Sequence, residues 1–338
     1  MAATSYTTLA AIREAAERIR GIARVTPLVD VSAAAGRPFF LKCENLQPAG
    51  AFKIRGAYNM VAQLSDAQRR AGVITYSSGK HGQAMALAAQ TLGAPAVVVM
   101  PTTAPTIKID GARAFGAEII LAGTTSSERR ARAESEAAAR GLTMVPPFDH
   151  EWIIAGQATA GLEILEQMPD VAAVLVPIGG GGLAAGVAAA VKQSRPEVAV
   201  IGVEPAGAAK MKASIEAGHP VTLARTSTIA DGLMPVRPGD LTFAHARRFI
   251  DRIVTVDDSA IAEAVLWIFA NAKIVAEPSG AATTAAVLSG ILDAAFPVSG
   301  PIVAIVSGGN MAAERLATIE AEAEAQGSGL KPQGAQGS

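Results

Sequence analysis

Val174-Leu175-Val176-Pro177-Ile178-Gly179-Gly180-Gly181-Gly182 is the stretch of sequence that decides the fold. An uncharged run of branched apolar residues is typical of a strand that is buried on both faces of a parallel sheet. Four glycines directly after such a strand predict a tight loop leading into a helix. Backbone N–H groups in a loop of this kind can surround a phosphate, so the stretch predicts a phosphate-binding unit.

A second informative segment is Gly50-Ala51-Phe52-Lys53-Ile54-Arg55-Gly56-Ala57, near the start of a predicted helix. A lysine amine can form a Schiff base with an aldehyde. A helix N-terminus disfavours additional positive charge, which helps to keep the amine of Lys53 available as a nucleophile and base. Pyridoxal phosphate (PLP) carries one aldehyde and one phosphate, so Lys53 and the glycine run together suggest PLP.

Short apolar runs alternate with helical stretches along the rest of the chain, for example the predicted helices 126–140 and 259–271. Strands are predicted at residues 39–43, 73–76, 96–100, 118–121, 174–177, 198–203, 253–256 and 302–306. This alternation predicts a doubly wound α/β protein with mostly parallel sheets. Loops that carry chemistry are expected at the carboxyl ends of the strands.

Composition excludes several classes of protein. The chain has 338 residues, of which 50% are hydrophobic, and 29 basic residues balance 30 acidic ones. With no basic block and only 4% aromatic residues, we expect neither nucleic acid nor a membrane as a partner. Residues 171–191 carry no charge, but Pro177 and the glycines interrupt them, and we interpret them as buried core rather than a membrane span. A single cysteine, Cys43, and the lack of a targeting segment predict a cytoplasmic protein.

The glycine run has a competing interpretation. Gly179-x-Gly181-x-x-Ala184 resembles a dinucleotide fingerprint, and Glu204 ends the next predicted strand at roughly the expected distance. A nicotinamide-dependent dehydrogenase therefore stays open on these residues. Against it, a second glycine-rich strand end exists, Ser307-Gly308-Gly309-Asn310, and Ser307 could hydrogen-bond a cofactor ring nitrogen.

The segment Ser77-Ser78-Gly79-Lys80-His81-Gly82-Gln83 follows the predicted strand 73–76. Its backbone N–H groups and two hydroxyls at a helix N-terminus can hold a carboxylate. The alternative is an ordinary strand-to-helix turn with Ser78 as the N-cap.

Taken together, these motifs resemble the fold type II PLP enzymes of the serine/threonine dehydratase and serine racemase family. The resemblance runs from about residue 20 to residue 320, in the order of the motifs. Its markers are Leu41-Lys42-Cys43-Glu44-Asn45-Leu46-Gln47, Phe52-Lys53, Ser77-Ser78-Gly79-Lys80-His81, Met100-Pro101, Ile154-Ala155-Gly156-Gln157, Pro177-Ile178-Gly179, Gly202-Val203-Glu204-Pro205, Thr228-Ile229-Ala230-Asp231-Gly232, Glu277-Pro278-Ser279 and Ser307-Gly308-Gly309-Asn310.

The resemblance implies a role for each of these positions. Lys53 would carry PLP and act as the base at the substrate Cα, and Ser78 would be the acid/base on the opposite face. The substrate carboxylate would bind at Ser77, Ser78, Gly79 and His81. The cofactor would be bound by Phe52, Lys80, Gly179, Gly180, Gly181, Gly182, Leu183, Glu277 and Ser307.

Three residues depart from the family pattern. Lys80 stands where asparagine usually contacts the phenolic oxygen of PLP, so it brings a charge or a competing amine. Ala51 replaces a serine before Phe-Lys. Lys210 stands where racemase-like members have an acidic metal ligand, and a lysine cannot serve as that ligand. We therefore predict no metal and an ion pair between Lys210 and Glu204.

The resemblance implies a fold similar to the β-subunit of tryptophan synthase, with two doubly wound domains. We expect a large PLP-binding domain of residues 1–50 and 146–325, a small domain of residues 51–145 and a disordered tail of residues 326–338. The expected function is a dehydratase that converts a β-hydroxy-α-amino acid to a 2-oxo acid and ammonia. Threonine and serine are the default substrates, and phenylserine or hydroxyaspartate are less usual ones. A racemase, a dehydrogenase and a non-catalytic PLP-binding protein are the alternatives, and we expect a homodimer.

Overall fold

The computed structural model describes residues 6–325. The predicted disordered tail, residues 326–338, lies outside the described residues. The strands are β1 Leu28–Asp30, β2 Phe39–Lys42, β3 Val73–Tyr76, β4 Ala96–Met100, β5 Glu118–Leu121, β6 Thr143–Met144, β7 Ala173–Pro177, β8 Ala199–Pro205, β9 Arg252–Val256 and β10 Ile302–Ile305. The helices are α1 Leu9–Arg18, α2 Ser32–Ala35, α3 Lys53–Ala62, α4 Asp66–Ala71, α5 Lys80–Thr91, α6 Thr106–Arg113, α7 Ser126–Arg140, α8 Glu151–Gln167, α9 Gly182–Ser194, α10 Lys210–Ala217, α11 Asp240–Phe249, α12 Asp258–Ala272, α13 Pro278–Leu288, α14 Ile291–Ala295 and α15 Ala313–Ala325.

The strands form two sheets. The larger has six strands in the order β1-β2-β10-β7-β8-β9, and the smaller has four in the order β5-β4-β3-β6. Only β1 runs antiparallel to its neighbour among these described strands. The fold is thus the expected α/β fold type II architecture. The predicted domain limits, residues 1–50 with 146–325 and residues 51–145, remain a prediction.

Strand β7 lies inside the larger sheet, between β10 and β8. Its side chains alternate between two apolar layers, as period-two geometry requires. Ala173 and Leu175 pack in the core that includes α12 and α13, whereas Val174 and Val176 pack in the core that includes α8 and α9. Both faces are therefore covered by helices, which is why the strand sequence is continuously apolar.

The eight predicted strands are all present, with ends that differ by no more than two residues. Helix α7 has the predicted bounds, 126–140. The two strands that sequence patterns missed are β1 and β6, which have three and two residues and are only partly buried. Such short segments carry too few residues to show an alternating pattern.

Residues 171–191 divide into β7, the glycine loop and most of α9, as the interpretation of buried core predicted. Within residues 6–325, no helix has both the length and the apolar composition needed to cross a bilayer.

A buried ion cluster fixes helix α3 to the larger sheet. The guanidinium of Arg55 donates to both carboxylate oxygens of Glu44, at 2.7 and 2.8 Å, and to Glu163 of α8 at 2.6 Å. The ammonium of Lys42 on β2 lies 2.6 Å from the same Glu163. The side chains of Arg55, Glu44 and Lys42 are fully buried. Since α3 begins at Lys53, this cluster holds the helix that carries the predicted reactive lysine.

We expect Arg55→Ala to lower the free energy of unfolding by about 3–5 kcal/mol, because the carboxylate of Glu44 would stay buried without its partner. Urea denaturation measures the change. Arg130→Ala is the matched control, since Arg130 forms an exposed ion pair with Glu134 and should cost less than about 1 kcal/mol. Equal losses in the two variants would contradict the role assigned to the cluster.

Candidate active site

The glycine loop lies at the carboxyl end of β7 and opens helix α9. The backbone N–H groups of residues 179–184 form no hydrogen bond with the described residues. The next N–H group, that of Ala185, bonds the carbonyl of Gly181. Six successive donors thus remain available at a helix N-terminus, where the helix dipole also favours an anion.

Glycine is required in this loop because other parts of the chain approach it closely. A Cβ at Gly180 would lie 2.3 Å from the ring of Phe148, and a Cβ at Gly182 would lie 3.0 Å from the same residue. Gly181 has a φ of +100°, which side chains rarely adopt. A larger residue would therefore move the loop and its N–H groups.

Lys53 is placed by a short backbone pairing. Ala51 forms an isolated antiparallel bridge with Gly308, and the N–H of Phe52 donates to the carbonyl of Ser307 at 3.2 Å. The start of α3 is thereby held at the carboxyl end of β10. The ammonium nitrogen of Lys53 lies 2.8 Å from the carbonyl oxygen of Pro147 and 5.0 Å from the centre of the Phe52 ring.

The amine of Lys53 loses its proton more readily than an ordinary lysine. Burial, and then the positive charge of Lys80, lower its pKa to about 7. At neutral pH a large fraction of the side chain is therefore the free amine, which is the nucleophilic and basic form.

Lys80 forms an ion pair in the wall of the pocket. Its Nζ lies 2.6 Å from Glu277 Oε1 and 3.9 Å from Asp231 Oδ1. Burial disfavours the charge, but the carboxylates of Glu277 and Asp231 outweigh burial and raise the pKa of Lys80. Lys80 is therefore held as an ammonium and does not compete with Lys53 as an amine.

The loop of residues 77–81 offers backbone donors at the start of α5. The N–H groups of Ser78, Lys80 and His81 have no acceptor among the described residues. Ser77 Oγ accepts from the N–H of Gly79 at 3.1 Å, and the hydroxyl of Ser78 is exposed. The N-cap of α5 is Gly79 rather than Ser78, so the alternative of a serine-capped turn is wrong.

The side chain of His81 is turned into the protein. It is only 4% exposed, and its Nε2 lies 3.1 Å from the carbonyl oxygen of Val145. Burial and the nearby charge of Lys53 lower its pKa to about 3, so the imidazole is neutral. The predicted part of His81 in substrate binding is thus restricted to its backbone N–H, and it remains a prediction.

Two hydroxyls and a backbone turn also line the pocket. Ser307 is 4% exposed, and its hydroxyl donates to the carbonyl oxygen of Ser279 at 3.3 Å. Ser279 Oγ accepts from the N–H of Gly232 at 2.8 Å. A Cβ at Gly232 would lie 2.5 Å from Lys80 Nζ, so a glycine is needed there to admit the lysine.

One pocket brings most of the predicted residues together. Its lining residues are Phe52, Lys53, Lys80, Phe148, Pro177, Gly179, Gly180, Gly181, Gly182, Leu183, Gly232, Leu233, Ser279 and Ser307. Glu277 contacts the pocket through Lys80. Gly232 and Ser279 belong to two of the family motifs, but the sequence analysis assigned them no role. No sequence signal pointed to Phe148.

Lys210 occupies an oxygen cage below the glycine loop. Its Nζ lies 3.0 Å from Glu204 Oε1, and it donates to the carbonyl oxygens of Ile178, Ala208 and Leu233 at 2.7, 3.0 and 3.0 Å. Burial lowers the pKa of Lys210 and the charge of Glu204 opposes that shift. Three carbonyl acceptors require three N–H donors, which the ammonium supplies. The predicted ion pair between Lys210 and Glu204 is present.

The contacts of Glu204 argue against a dinucleotide site. Both carboxylate oxygens of Glu204 accept hydrogen bonds from the backbone, from Met211 at 2.9 Å and from Lys212 at 2.8 Å. The side chain is fully buried. It cannot reach a ribose hydroxyl, so the dehydrogenase interpretation loses the acidic residue on which it depended.

The residues fit PLP. The unpaired N–H groups of the glycine loop suit its phosphate, the free amine of Lys53 suits its aldehyde, and the ring of Phe52 lines the space between them. Ser307 lines the same pocket and supplies a polar hydroxyl there.

Comparisons with known proteins agree with this fit. Residues 19–308 match the family described as pyridoxal-phosphate dependent enzyme. The chain is 44% identical to the L-threonine ammonia-lyase of Thermotoga maritima over 308 residues, which are 90% of this chain and 76% of that one. It is 42% identical to a serine racemase of Oryza sativa over 305 residues, 89% of this chain and 90% of that one.

Two further relatives differ in how much of their length the chain covers. The biosynthetic L-threonine dehydratase of Escherichia coli is 44% identical over 279 residues, 79% of this chain but only 54% of that protein. The structure of maize serine racemase superposes with a TM-score of 0.90 at 38% identity, covering 96% of this chain and 99% of that one. The chain therefore belongs to the family of pyridoxal-phosphate dependent enzymes, with PLP as its cofactor.

Proposed function

We propose that this enzyme is an ammonia-lyase that converts threonine or serine to a 2-oxo acid and ammonia. The observation that carries the proposal is that Lys53, whose pKa is lowered to about 7, lines one pocket together with the glycine loop and its unpaired N–H groups. Relatives named threonine ammonia-lyase support the lyase reaction. PLP, when bound, withdraws electrons from the substrate Cα and so makes its proton acidic.

Residues of the chain bind the phosphate and the substrate and transfer the proton. The N–H groups of residues 179–184 hold the phosphate, and those of Ser78, Lys80 and His81 hold the substrate carboxylate. Lys53 Nζ, in its neutral form, accepts the α-proton. The β-hydroxyl then leaves with a proton as water, and the unsaturated product takes up water to release ammonia.

The nature of residue 307 favours elimination. A serine hydroxyl at a ring nitrogen does not enforce protonation there, whereas a carboxylate does. The electron sink is then weaker, which suits rapid loss of a β-substituent rather than a long-lived carbanion.

A racemase is the second candidate. Its support is the hydroxyl of Ser78, which is exposed and forms no side-chain hydrogen bond to the described residues, and the relatives named serine racemase. Such a hydroxyl is free to carry a proton to the opposite face of Cα. Homodimer formation and the cytoplasmic location remain predictions.

A panel of β-hydroxy amino acids tests the two functions. We expect threonine and serine to give equal amounts of 2-oxo acid and ammonia, with phenylserine and hydroxyaspartate included to define the range. Inversion of serine without release of ammonia would reject the lyase in favour of the racemase.

Lys53→Ala should abolish borohydride-dependent fixation of the cofactor and reduce turnover by about 10³-fold or more, because both nucleophile and base are lost. Peptide mapping after reduction identifies the modified residue. Lys212→Ala is the control, since Lys212 is an exposed lysine paired with Glu216. Fixation on a different lysine would show that Lys53 has been assigned wrongly.

Activity should survive exhaustive chelation, because the ammonium of Lys210 already fills the oxygen cage. Lys210→Met should instead lower the free energy of unfolding by about 3–5 kcal/mol, since Glu204 would be buried without its cation. Lys212→Met is the control for the loss of a lysine. A large loss of wild-type activity on chelation, restored by magnesium or calcium, would refute this view of Lys210.

Attachment of PLP to the cofactor-free enzyme should rise with pH through about 7, where Lys53 loses its proton. In Lys80→Asn the midpoint should move to higher pH, because removal of a neighbouring cation makes protonation of Lys53 easier. The relative rates for different β-hydroxy amino acids should also change. Absorbance at the wavelengths of bound PLP measures the midpoint. An unchanged midpoint and unchanged relative rates would show that Lys80 does not act on the site.

A further inference from the structure

Four charged side chains connect the pocket wall to the pocket rim, and we call them the rim charge chain. Glu277 Oε1 lies 2.6 Å from Lys80 Nζ, Lys80 Nζ lies 3.9 Å from Asp231 Oδ1, and Asp231 Oδ2 lies 2.7 Å from Lys108 Nζ. The exposed fraction of the side chain grows from 6% at Glu277 to 54% at Asp231. The chain therefore runs from the protein interior to the solvent.

The rim charge chain lies beside the place where an amino acid would bind. Lys80 and Gly232 both line the pocket, and Asp231 directly precedes Gly232. The aliphatic part of Lys108 crosses the loop of residues 77–81, because a Cβ at Gly79 would lie 3.2 Å from Lys108 Cδ. Lys108 belongs to α6 and Asp231 follows β8 in the chain, so their ion pair joins elements associated with the two different sheets.

The charges of the four side chains cancel. Each ammonium of the chain is already paired with a carboxylate, at 2.6 Å for Lys80 and 2.7 Å for Lys108. A second carboxylate on a substrate would find no unpaired ammonium among these groups and would lie close to the half-exposed carboxylate of Asp231. Two carboxylates that lie a few ångströms apart near a protein surface repel each other substantially. A neutral side chain incurs no such penalty.

We propose that Asp231 is a specificity-determining residue, which excludes amino acids with an acidic side chain by repelling a second carboxylate and by holding the ammonium group of Lys108. This inference rests on the proposed function, since it requires that the substrate is an amino acid bound in this pocket. Among β-hydroxy amino acids it favours those with neutral side chains over hydroxyaspartate. Neutralising Asp231 would remove this repulsion and release the ammonium of Lys108 for a second carboxylate, whereas Lys80 would keep Glu277 as its partner.

The test compares two ligands that lack a β-hydroxyl, L-aspartate and L-2-aminobutyrate. Each is titrated into the PLP-loaded enzyme, and the visible absorbance of the cofactor reports binding. In Asp231→Asn, the affinity for aspartate relative to aminobutyrate should rise about tenfold, and the gain should shrink as salt is added. In Lys108→Met the affinity for aspartate relative to aminobutyrate should fall, because the carboxylate of Asp231 loses its nearer cationic partner and repels a second carboxylate more strongly.

Asp110→Asn is the matched control, because it removes an exposed carboxylate from the same helix as Lys108 and should leave the ratio unchanged. The proposal is overturned if Asp231→Asn alters both affinities by the same factor, or if Lys108→Met moves the ratio towards aspartate. Lys108→Met decides the matter should Asp231→Asn not fold. A shifted ratio in an enzyme that forms no 2-oxo acid would reject the proposed lyase reaction and support the specificity role of Asp231.

Discussion

Unpaired backbone donors at the end of β7 are the constraint around which the pocket is built. Residues 179–184 present six N–H groups with no acceptor among the described residues, and buried donors of this kind are costly unless an anion or water meets them. Parallel strands bring the other reactive segments to the same edge of the sheet. The segment that carries Lys53 pairs with the end of β10 there, and β10 is the direct neighbour of β7.

The two lysines of the pocket, Lys80 and Lys53, are held in different protonation states. Lys80 is kept cationic by two carboxylates, and its charge then helps to keep Lys53 neutral. Lys80 thus acts through its positive charge and Lys53 through its lone pair, although both are half-buried side chains that line the same pocket. The difference follows from their partners, since the amine of Lys53 donates to a carbonyl oxygen and lies over a ring, and no carboxylate among residues 6–325 forms an ion pair with it.

The sequence predicted the strands and the glycine loop, because these depend on local patterns. The resemblance to the PLP family predicted the convergence of Lys53 with Ser307. It also predicted the contact of Lys210 with Glu204, because the resemblance puts both residues at positions where racemase-like members bind a metal. It did not predict the contact of Lys80 with Glu277, which joins residues 197 positions apart. The inward turn of His81 and the approach of Phe148 to Gly180 likewise depend on tertiary packing, which no local pattern reports.

The oxygen cage of Lys210 has a consequence for the enzyme in a changing ionic environment. An ion that binds from solution fills its site to an extent that depends on its concentration, whereas a side-chain ammonium is supplied by the chain itself and cannot be diluted. The carbonyl of Ile178, one residue before the glycine loop, is held by that ammonium at 2.7 Å. The geometry of the glycine loop is therefore supported by a cation that is part of the chain and is present as soon as the protein folds.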